Sequence, residues 1–503
     1  MKLRQLLNRK CLKKCFIIVG LFIAFVCLYI LSFIYSKPAI DTDYLAQLNR
    51  INRPENLKQE DNAWPYYEKA FELFKNPVDG NDFHIIYEEF QKDFSDFNDI
   101  EKGIITGWLE QNQPAWQEFL KASLKPYCYS EYVVQEIDSN EPFINFIELL
   151  DVPTMKIGYK SEGLRDFYLL GRWRIKIEAE TGKTQQAIED CFTLLNIAHQ
   201  WNQGRYLIDD LVGLHCNSIG NEGLLEVISK NELSLSRLEE IQRRLTEVYE
   251  SHHPKFDFEG EKLMFLDIIQ HVFTKGGLGG GHIIPKYISP LVQYSSIIIT
   301  MSQLDNKPSL KERSLYLVMS LLHARRNKTI AKYNEIFDQL QKIQEMTLSE
   351  RKQYGHVLDT KRLEILNYII HFDSTVQQSR YFIVNIFTPG MERMTEFVPQ
   401  KKAEYEAAIT ILALKRYFIE NGGYPETLED LLSKGYISKL PMDPYSDKSL
   451  VYKNEGNNFR LYSFGEDFED NDGKPMFLSD GSLVKWGRKD SNTKSDAVFW
   501  PVP

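Results

Sequence analysis

The feature that most restricts this chain is the stretch Cys15–Tyr35, CFIIVGLFIAFVCLYILSFIY, which holds no charged residue over 21 positions. A helix rises about 1.5 Å per residue, so such a run reaches across the roughly 30 Å of bilayer hydrocarbon. The residues before it carry Lys2, Arg4, Arg9, Lys10, Lys13 and Lys14 and no acid. Lys and Arg stay on the cytoplasmic side of a membrane. The expected topology is a cytoplasmic basic tail over 1–14, a transmembrane helix over 15–35, and residues 36–503 on the periplasmic or extracytoplasmic side of the cytoplasmic (inner) membrane. A cleaved signal peptide has a shorter apolar core, about 7–15 residues, and a small-residue cleavage site. Ser36-Lys37-Pro38-Ala39 is not such a site, none of Cys11, Cys15 and Cys27 follows a lipobox, and the Gly and Glu of a pilin-type leader are not at the apolar run.

The basic tail accounts for +6, which leaves the rest of the chain at −16 against a total of −10. An acidic body of this kind argues against nucleic acid, because phosphate binding needs clustered Lys and Arg. An apolar fraction of 43% supports buried cores, and 503 residues suggest more than one domain. Outside the N-terminal region the cysteines are Cys128, Cys191 and Cys216. They are widely spaced and odd in number, so they form neither a disulfide framework nor a zinc pattern, and spacing leaves open whether two of them pair.

After a polar stalk over 41–57 the periodicity is helical. Trp64, Tyr67, Phe71 and Phe74 recur at helix spacing behind a cap-like Asn62. Leu164, Phe167, Leu170, Gly171 and Ile175 form one stripe, and Ala187, Cys191, Leu194, Leu195 and Ala198 the next. Thr181-Gly182-Lys183 joins them, with Gly182 suited to the left-handed C-terminal position and Thr184 to the following cap. Further helices are expected over Leu207–Ser229, Ser234–Ser251, Glu259–Thr274, Leu310–Met346 with a break, and Leu348–Asn367. The expected fold is mainly α: a transmembrane helix, a helical extracytoplasmic domain over 41–394, and a small α+β domain over 395–503.

The helical part offers few chemical groupings. KGGLGGGH over Lys275–His282 has the glycines of a phosphate loop but no Gly-Lys-Ser/Thr entering a helix, and reads as a flexible loop. HExxH, GxSxG and the EF-hand pattern are absent. His199 and His215 fall on apolar-faced helices, where a lone His is a core residue, and His252-His253 reads as a helix C-cap. Arg172, Arg174, Glu178 and Glu180 read as a charged face at i, i+4 spacing. Asp257, Glu259, Glu261 and Asp267 are the densest acids of this part; they suit a helix start, where the dipole favours carboxylates, better than acid–base chemistry. No catalytic residue is assigned.

From Gln400 the pattern changes. Ala403, Ala407, Ile411, Leu414 and Phe418 mark an amphipathic helix up to Asn421 that Gly422-Gly423 ends. Then come Tyr424-Pro425-Glu426-Thr427-Leu428-Glu429-Asp430-Leu431, capped at Thr427, and the extended Leu440-Pro441-Met442-Asp443-Pro444-Tyr445. Ser449–Lys453 and Phe459–Phe464 predict one hairpin, and Pro475–Ser479 with Ser482–Trp486 about Asp480-Gly481 a second. The loop Gly465–Gly473 holds Asp467, Glu469, Asp470 and Asp472, hard oxygen ligands at short spacing that suit Ca²⁺.

The elements YP…L…L, LPMDPY and Leu461-Tyr462-Ser463-Phe464-Gly465 stand in the order and spacing of the soluble domain of the type II secretion major pseudopilin, the G-type, which the last fifth of the chain resembles. The resemblance implies a long helix followed by antiparallel hairpins and a calcium-binding loop after LYSxG. The family places its transmembrane helix directly before this domain, whereas here residues 36–394 intervene, so the head is expected to be grafted onto a helical body rather than to polymerise. The stretch FDFEGEKLMFLDIIQHVF and the helical hairpin before it resemble large membrane-anchored proteins of Planctomycetes-type bacteria, a kinship that names no activity. The expectation is a single-pass, membrane-anchored envelope protein, a non-enzymatic binding or scaffold protein whose partners are the bilayer through 15–35 and envelope or secretion proteins. The alternatives are an exported enzyme with a site in the helical domain, or an accessory component of a type II secretion or pilus-like system.

Overall fold

The computed structural model describes residues 9–77, 80–87, 92–134, 150, 152–156, 163–202, 206–251, 256–276, 280–288, 290–291, 310–354, 380–388, 391–479, 481–487 and 493–502; in the first helix the side chains at 9–13, 15, 26, 27, 29, 30 and 33 are outside that description. His252-His253, positions 277–279 of the glycine loop, Asp480 and the helix expected over 355–367 also lie outside it.

The chain is mainly α with a small antiparallel sheet near its C-terminus. Helices α1 Arg9–Ile34 and α2 Tyr44–Asn52 precede α3 Trp64–Leu73, α4 Gly80–Tyr87, α5 Asp99–Gln111 and α6 Gln113–Ser123. Next come α7 Leu164–Glu180, α8 Thr184–Trp201, α9 Leu207–Lys230 and α10 Leu235–Ser251. A third group is α11 Glu259–Val272, α12 Leu310–Leu322, α13 Arg326–Ile343, α14 Leu348–Tyr354 and α15 Phe382–Phe387. The chain closes with α16 Met391–Asn421, α17 Leu428–Ser433, and strands β1 Val451–Asn454, β2 Phe459–Ser463 and β3 Ala497–Trp500, ordered β1-β2-β3. Among the described side chains no helix is long and apolar enough to cross a membrane; the apolar run of α1 is interrupted there by the positions named above.

Local chemistry accounts for several boundaries, although Thr184 does not cap α8 and donates its hydroxyl to Asn231 instead. Gly182 adopts φ +75° and turns α7 into α8, and the two expected stripes are buried throughout. On α10 Leu238, Ile241, Gln242, Leu245 and Tyr249 are the buried positions, the i, i+3, i+4, i+7, i+11 face of an amphipathic helix. The Ser234 hydroxyl accepts the Arg237 N–H at its start. Helices α8 and α9 pack closely because α9 carries Gly220 at their crossing. A Cβ there would stand 2.9 Å from Leu195 Cγ and 3.0 Å from the Cys191 carbonyl, and a backbone carbonyl cannot swing away as a side-chain tip can.

Helix α16 joins two cores. Its first turns contribute Met391 and Val398 to a cluster with Phe265, Ile268, Phe337 and Ile383. Its later turns contribute Ala407, Ile411 and Leu414 to a larger cluster that runs from Ala63 through Trp116, Leu195 and Leu245 to Leu461 and Phe499. The boundary expected at 394/395 falls inside this helix.

The sequence places the start of α16 at Gln400, beyond Pro399, yet the helix begins at Met391 and contains the proline. Proline has no N–H to give the carbonyl four residues back, which is that of Thr395. Arg351 on α14 supplies a donor instead: its Nη2 donates to the Thr395 carbonyl at 3.0 Å and its Nη1 to Thr395 Oγ1 at 2.7 Å. Arg351→Met is expected to cost about 1–3 kcal/mol, the scale of a buried acceptor losing its donor. Adding Pro399→Ala, which restores an N–H on the helix, should recover a good part of that loss, as read from thermal unfolding of the single and double variants.

The first hairpin forms as expected, with Tyr452 opposite Leu461 and Lys453 opposite Arg460. The second does not become strands. Phe477 and Leu483 make a single bridge, and Val484 N–H bonds to the Met476 carbonyl, but the third strand of the sheet is Ala497–Trp500, paired to β2 with a bulge at Leu461/Tyr462. Ala497–Trp500 is buried at every position, so it lacks the alternation that betrays a half-exposed strand. Cys128, Cys191 and Cys216 are free thiols.

Candidate functional site

The acidic loop 465–473 closes on itself and on the strands beside it. Asp467 accepts from Glu469 N–H at 2.9 Å, Asn471 Nδ2 at 3.0 Å and Ser495 N–H at 3.1 Å. Asp470 accepts from the Tyr462 hydroxyl at 2.8 Å and from Asp472 N–H at 3.0 Å. Asp472 pairs with Lys453, whose bond holds the exposed carboxyl below its ordinary value, and Glu469 pairs with Lys494 at 2.8 Å. No three of Asp467, Glu469, Asp470 and Asp472 bring oxygens within 4.8 Å of one another. Asp496, which the sequence reading missed, organises the loop from the residue before β3: its fully buried carboxylate accepts N–H groups from Asn471, Gly473 and Lys474. Asp472 and Gly473 also border an open groove of about 400 Å³ that Arg460, Lys474, Val498 and Pro501 line as well.

The YP, LPMDPY and LYSFG segments are tied to one another and to the sheet by hydrogen bonds. Asp443 is fully buried. It accepts from Tyr445 N–H at 3.0 Å, Ser446 Oγ at 2.7 Å, Ser463 Oγ at 2.6 Å and Phe464 N–H at 3.3 Å. The Asp of LPMDPY is thus clamped to the Ser of LYSFG. The Pro425 carbonyl takes a bond from the Tyr452 hydroxyl at 2.8 Å, fixing the YP turn to β1. Glu404 of α16 accepts from Lys401 at 2.8 Å and Trp486 Nε1 at 3.1 Å, and Lys485, 3.8 Å from it, also pairs with Glu222 of α9 at 3.3 Å. Burial works against the Glu404 charge, but Lys401 and Lys485 keep the carboxyl below its ordinary value.

In the body, Asp93, Glu180 and Glu226 bring carboxylate oxygens within 4.8 Å of one another. The Lys230 ammonium lies among them, 2.9–3.2 Å from all three, and Lys176 stands 4.0 Å from Asp93. The face expected from Arg172, Arg174, Glu178 and Glu180 turns partly inward: Arg174 and Glu178 are buried. Arg174 Nε donates to Asp190 at 2.7 Å, its Nη2 to Glu178 at 3.2 Å and its Nη1 to Gln113 at 2.8 Å. One guanidinium serves two carboxylates. Burial, then the Asp190 charge, pushes the Glu178 carboxyl up to about 8.

Three of the acids at and near α11 bond to backbone or to neighbouring side chains. Asp257 accepts Glu259 N–H at the start of α11. Glu261 accepts Leu207 N–H at the start of α9, and burial pushes its carboxyl up to about 7. Asp267 is held below its ordinary value despite burial, through bonds from His271, Gln270 and Thr154. His215, expected in the core, is exposed on α9 with its ring centroid 4.2 Å from that of Tyr168, and His199 is half-buried on α8. Tyr132 donates to Asp209 at 2.6 Å beside a cavity of about 20 Å³ that Cys128, Gln200 and Trp201 also line. That volume holds one water, far below the ~300 Å³ and more of a ligand pocket. Comparison with family models, with curated proteins and with solved structures finds no match for this chain.

Proposed function

We propose that this chain is a single-pass envelope protein: α1 crosses the cytoplasmic membrane, residues 36–503 stand outside the cytoplasm, and the helical body with its pseudopilin-like head serves as a binding or scaffold module. The observation that carries this reading is α1. Its uncharged run follows six cationic residues, and Phe16, Phe22 and Phe25 stand 73%, 66% and 67% exposed. Each such side chain in water forfeits about 1.5–3 kcal/mol relative to an apolar surrounding, and lipid supplies that surrounding. A non-enzymatic role is supported by the use made of the acids: those of the body cap helices, close ion pairs and bridge elements. The open groove beside Asp472 is the place on the head where a partner's side chains would seat.

Calcium at Asp467, Glu469, Asp470 and Asp472 is part of the proposal, supported by carboxylate density; binding would have to release Lys453 and Lys494. A weak site filled to a hundredfold excess over Kd would stabilise by about 2.7 kcal/mol. A higher Tm in millimolar calcium than in chelator, abolished by Asp467→Ala with Asp470→Ala, is the expected result; an unmoved wild-type curve removes calcium from the proposal.

The anchor is tested by alkaline carbonate extraction of membranes from expressing cells. The full chain should stay in the pellet, and the chain lacking 15–35 should be released. Release of the full chain would end the reading.

A further inference from the structure

We propose that the body makes a second membrane contact beside its anchor: the C-terminal half of α12 dips into the same bilayer surface, flanked by Lys and Arg that meet anionic phospholipid headgroups. This rests on the reading of α1 as the anchor.

Val318, Leu321 and Leu322 lie at i, i+3, i+4 on α12, one helix face, and all three are exposed, Leu321 at 54%. Three large aliphatics on one face are unlike the single exposed apolar residues normal on any surface. Their position ties them to the anchor. Both α1 and α12 pack on the turn Pro285–Tyr287. The chain leaving α1 is fastened to the same corner: Ala39 N–H donates to the Phe273 carbonyl at 3.1 Å, and Asp41 and Thr42 N–H groups donate to Gln270. Arg326 Nη1 donates to the Ala39 carbonyl at 3.3 Å. Arg326 is four residues from Leu322, at most about 14 Å of chain, and Ala39 is five residues beyond the last residue of α1. With the chain held this way, an anchor in the bilayer brings the tip of α12 to its surface. Tyr35, just past the end of α1, and Ile40, in the fastened segment, are exposed as well.

Charge selects the lipid. Residues 275–288 and 314–330 contain Lys275, Lys286, Arg325, Arg326 and Lys328 and no acid, in a chain that is −16 beyond residue 14. Lys275, Lys286, Arg325 and Lys328 are exposed. Exposed apolar side chains with cations in the adjoining turns, of which Arg326 also pairs with Asp41 at 3.7 Å, suit a bilayer carrying anionic lipid, and Tyr287 beside Lys286 is the aromatic type enriched at that depth.

The test uses the full chain reconstituted in phosphatidylcholine liposomes with and without phosphatidylglycerol. A photoreactive benzophenone side chain is placed, in separate samples, at Leu28 of α1, at Leu321, or at Ile419, an exposed apolar residue of α16. Lipid adducts are expected at Leu28 and Leu321 and not at Ile419. The Leu321 yield should rise several-fold with phosphatidylglycerol and fall again in Arg325→Glu with Lys328→Glu. Adducts at Leu28 alone overturn the second contact and leave the anchor standing. Adducts at neither position overturn the anchor and this inference together. Equal yields at Leu321 and Ile419, or a Leu321 adduct to the protein's own chain such as residues 292–309, overturn the inference. A Leu321 yield indifferent to phosphatidylglycerol overturns the headgroup part.

Discussion

Arg174→Met should destabilise the protein by about 3–5 kcal/mol, the range for breaking a buried ion pair by removing one partner. The substitution nearly preserves volume, so the loss is electrostatic: Asp190 and Glu178 would stand buried without the guanidinium, Asp190 keeping the Trp116 Nε1 donor at 3.3 Å, and the Gln113 Oε1 would lose its donor too. The loss should grow with pH. Glu178 has a folded pKa of about 8 against 4.5 for the free residue. A group that binds its proton more tightly when folded contributes stability that is complete below the lower value and lost as pH rises through the higher. Wild-type stability should therefore fall between about pH 5 and 8. Protonation also turns Glu178 Oε2, otherwise without a partner, into a donor toward Asp190. Glu178→Gln keeps the shape and removes the titration, so its Tm should be flatter with pH and should exceed wild type at pH 8. Parallel wild-type and Glu178→Gln pH profiles, measured by thermal unfolding in detergent, would show that the pair is not strained by its second charge.

Asp443→Ala should be comparably severe for the head, by about 3 kcal/mol or more. It strands two backbone N–H groups and two hydroxyls at a fully buried position, and each orphaned donor costs about 1–3 kcal/mol if water cannot reach it. The damage should be local first. Hydrogen exchange at Tyr445 and Phe464 should accelerate by orders of magnitude while the amides of α8 and α9 keep their protection. Asp443→Asn should fall between, since an amide offers one acceptor oxygen where the carboxylate offers two. Unchanged exchange at Phe464 in Asp443→Ala would show that the LPMDPY–LYSFG clamp does not hold the turn.

How far the sequence could be read depended on how local the cause was. The α7–α8 turn was legible because Gly182 and the two stripes lie within one hairpin. The β1–β2 hairpin was legible because the turn over 454–458 separates two short strand patterns. Arg174 and Glu178 were misread as an ordinary charged face because i, i+4 pairing looks the same buried or solvated; what buries them is Trp116 and Asp190, from other helices. Pro399 signalled a helix start because its replacement donor, Arg351, comes from α14. Strand β3 was missed because AVFW is apolar at every position. At the acidic loop the composition was plain, but Lys453, Tyr462, Ser495 and Asp496 come from outside it, and no spacing rule within Gly465–Gly473 reveals them.

The central claim is that one basic-flanked helix holds an extracytoplasmic body. It is tested most directly by fusing, after residue 503, either a phosphatase reporter active only outside the cytoplasm or a fluorescent reporter active only inside it. The account predicts an active phosphatase and a dark fluorescent fusion at matched expression. An inactive phosphatase with a bright fluorescent fusion, both stably expressed, would place the body in the cytoplasm and contradict it.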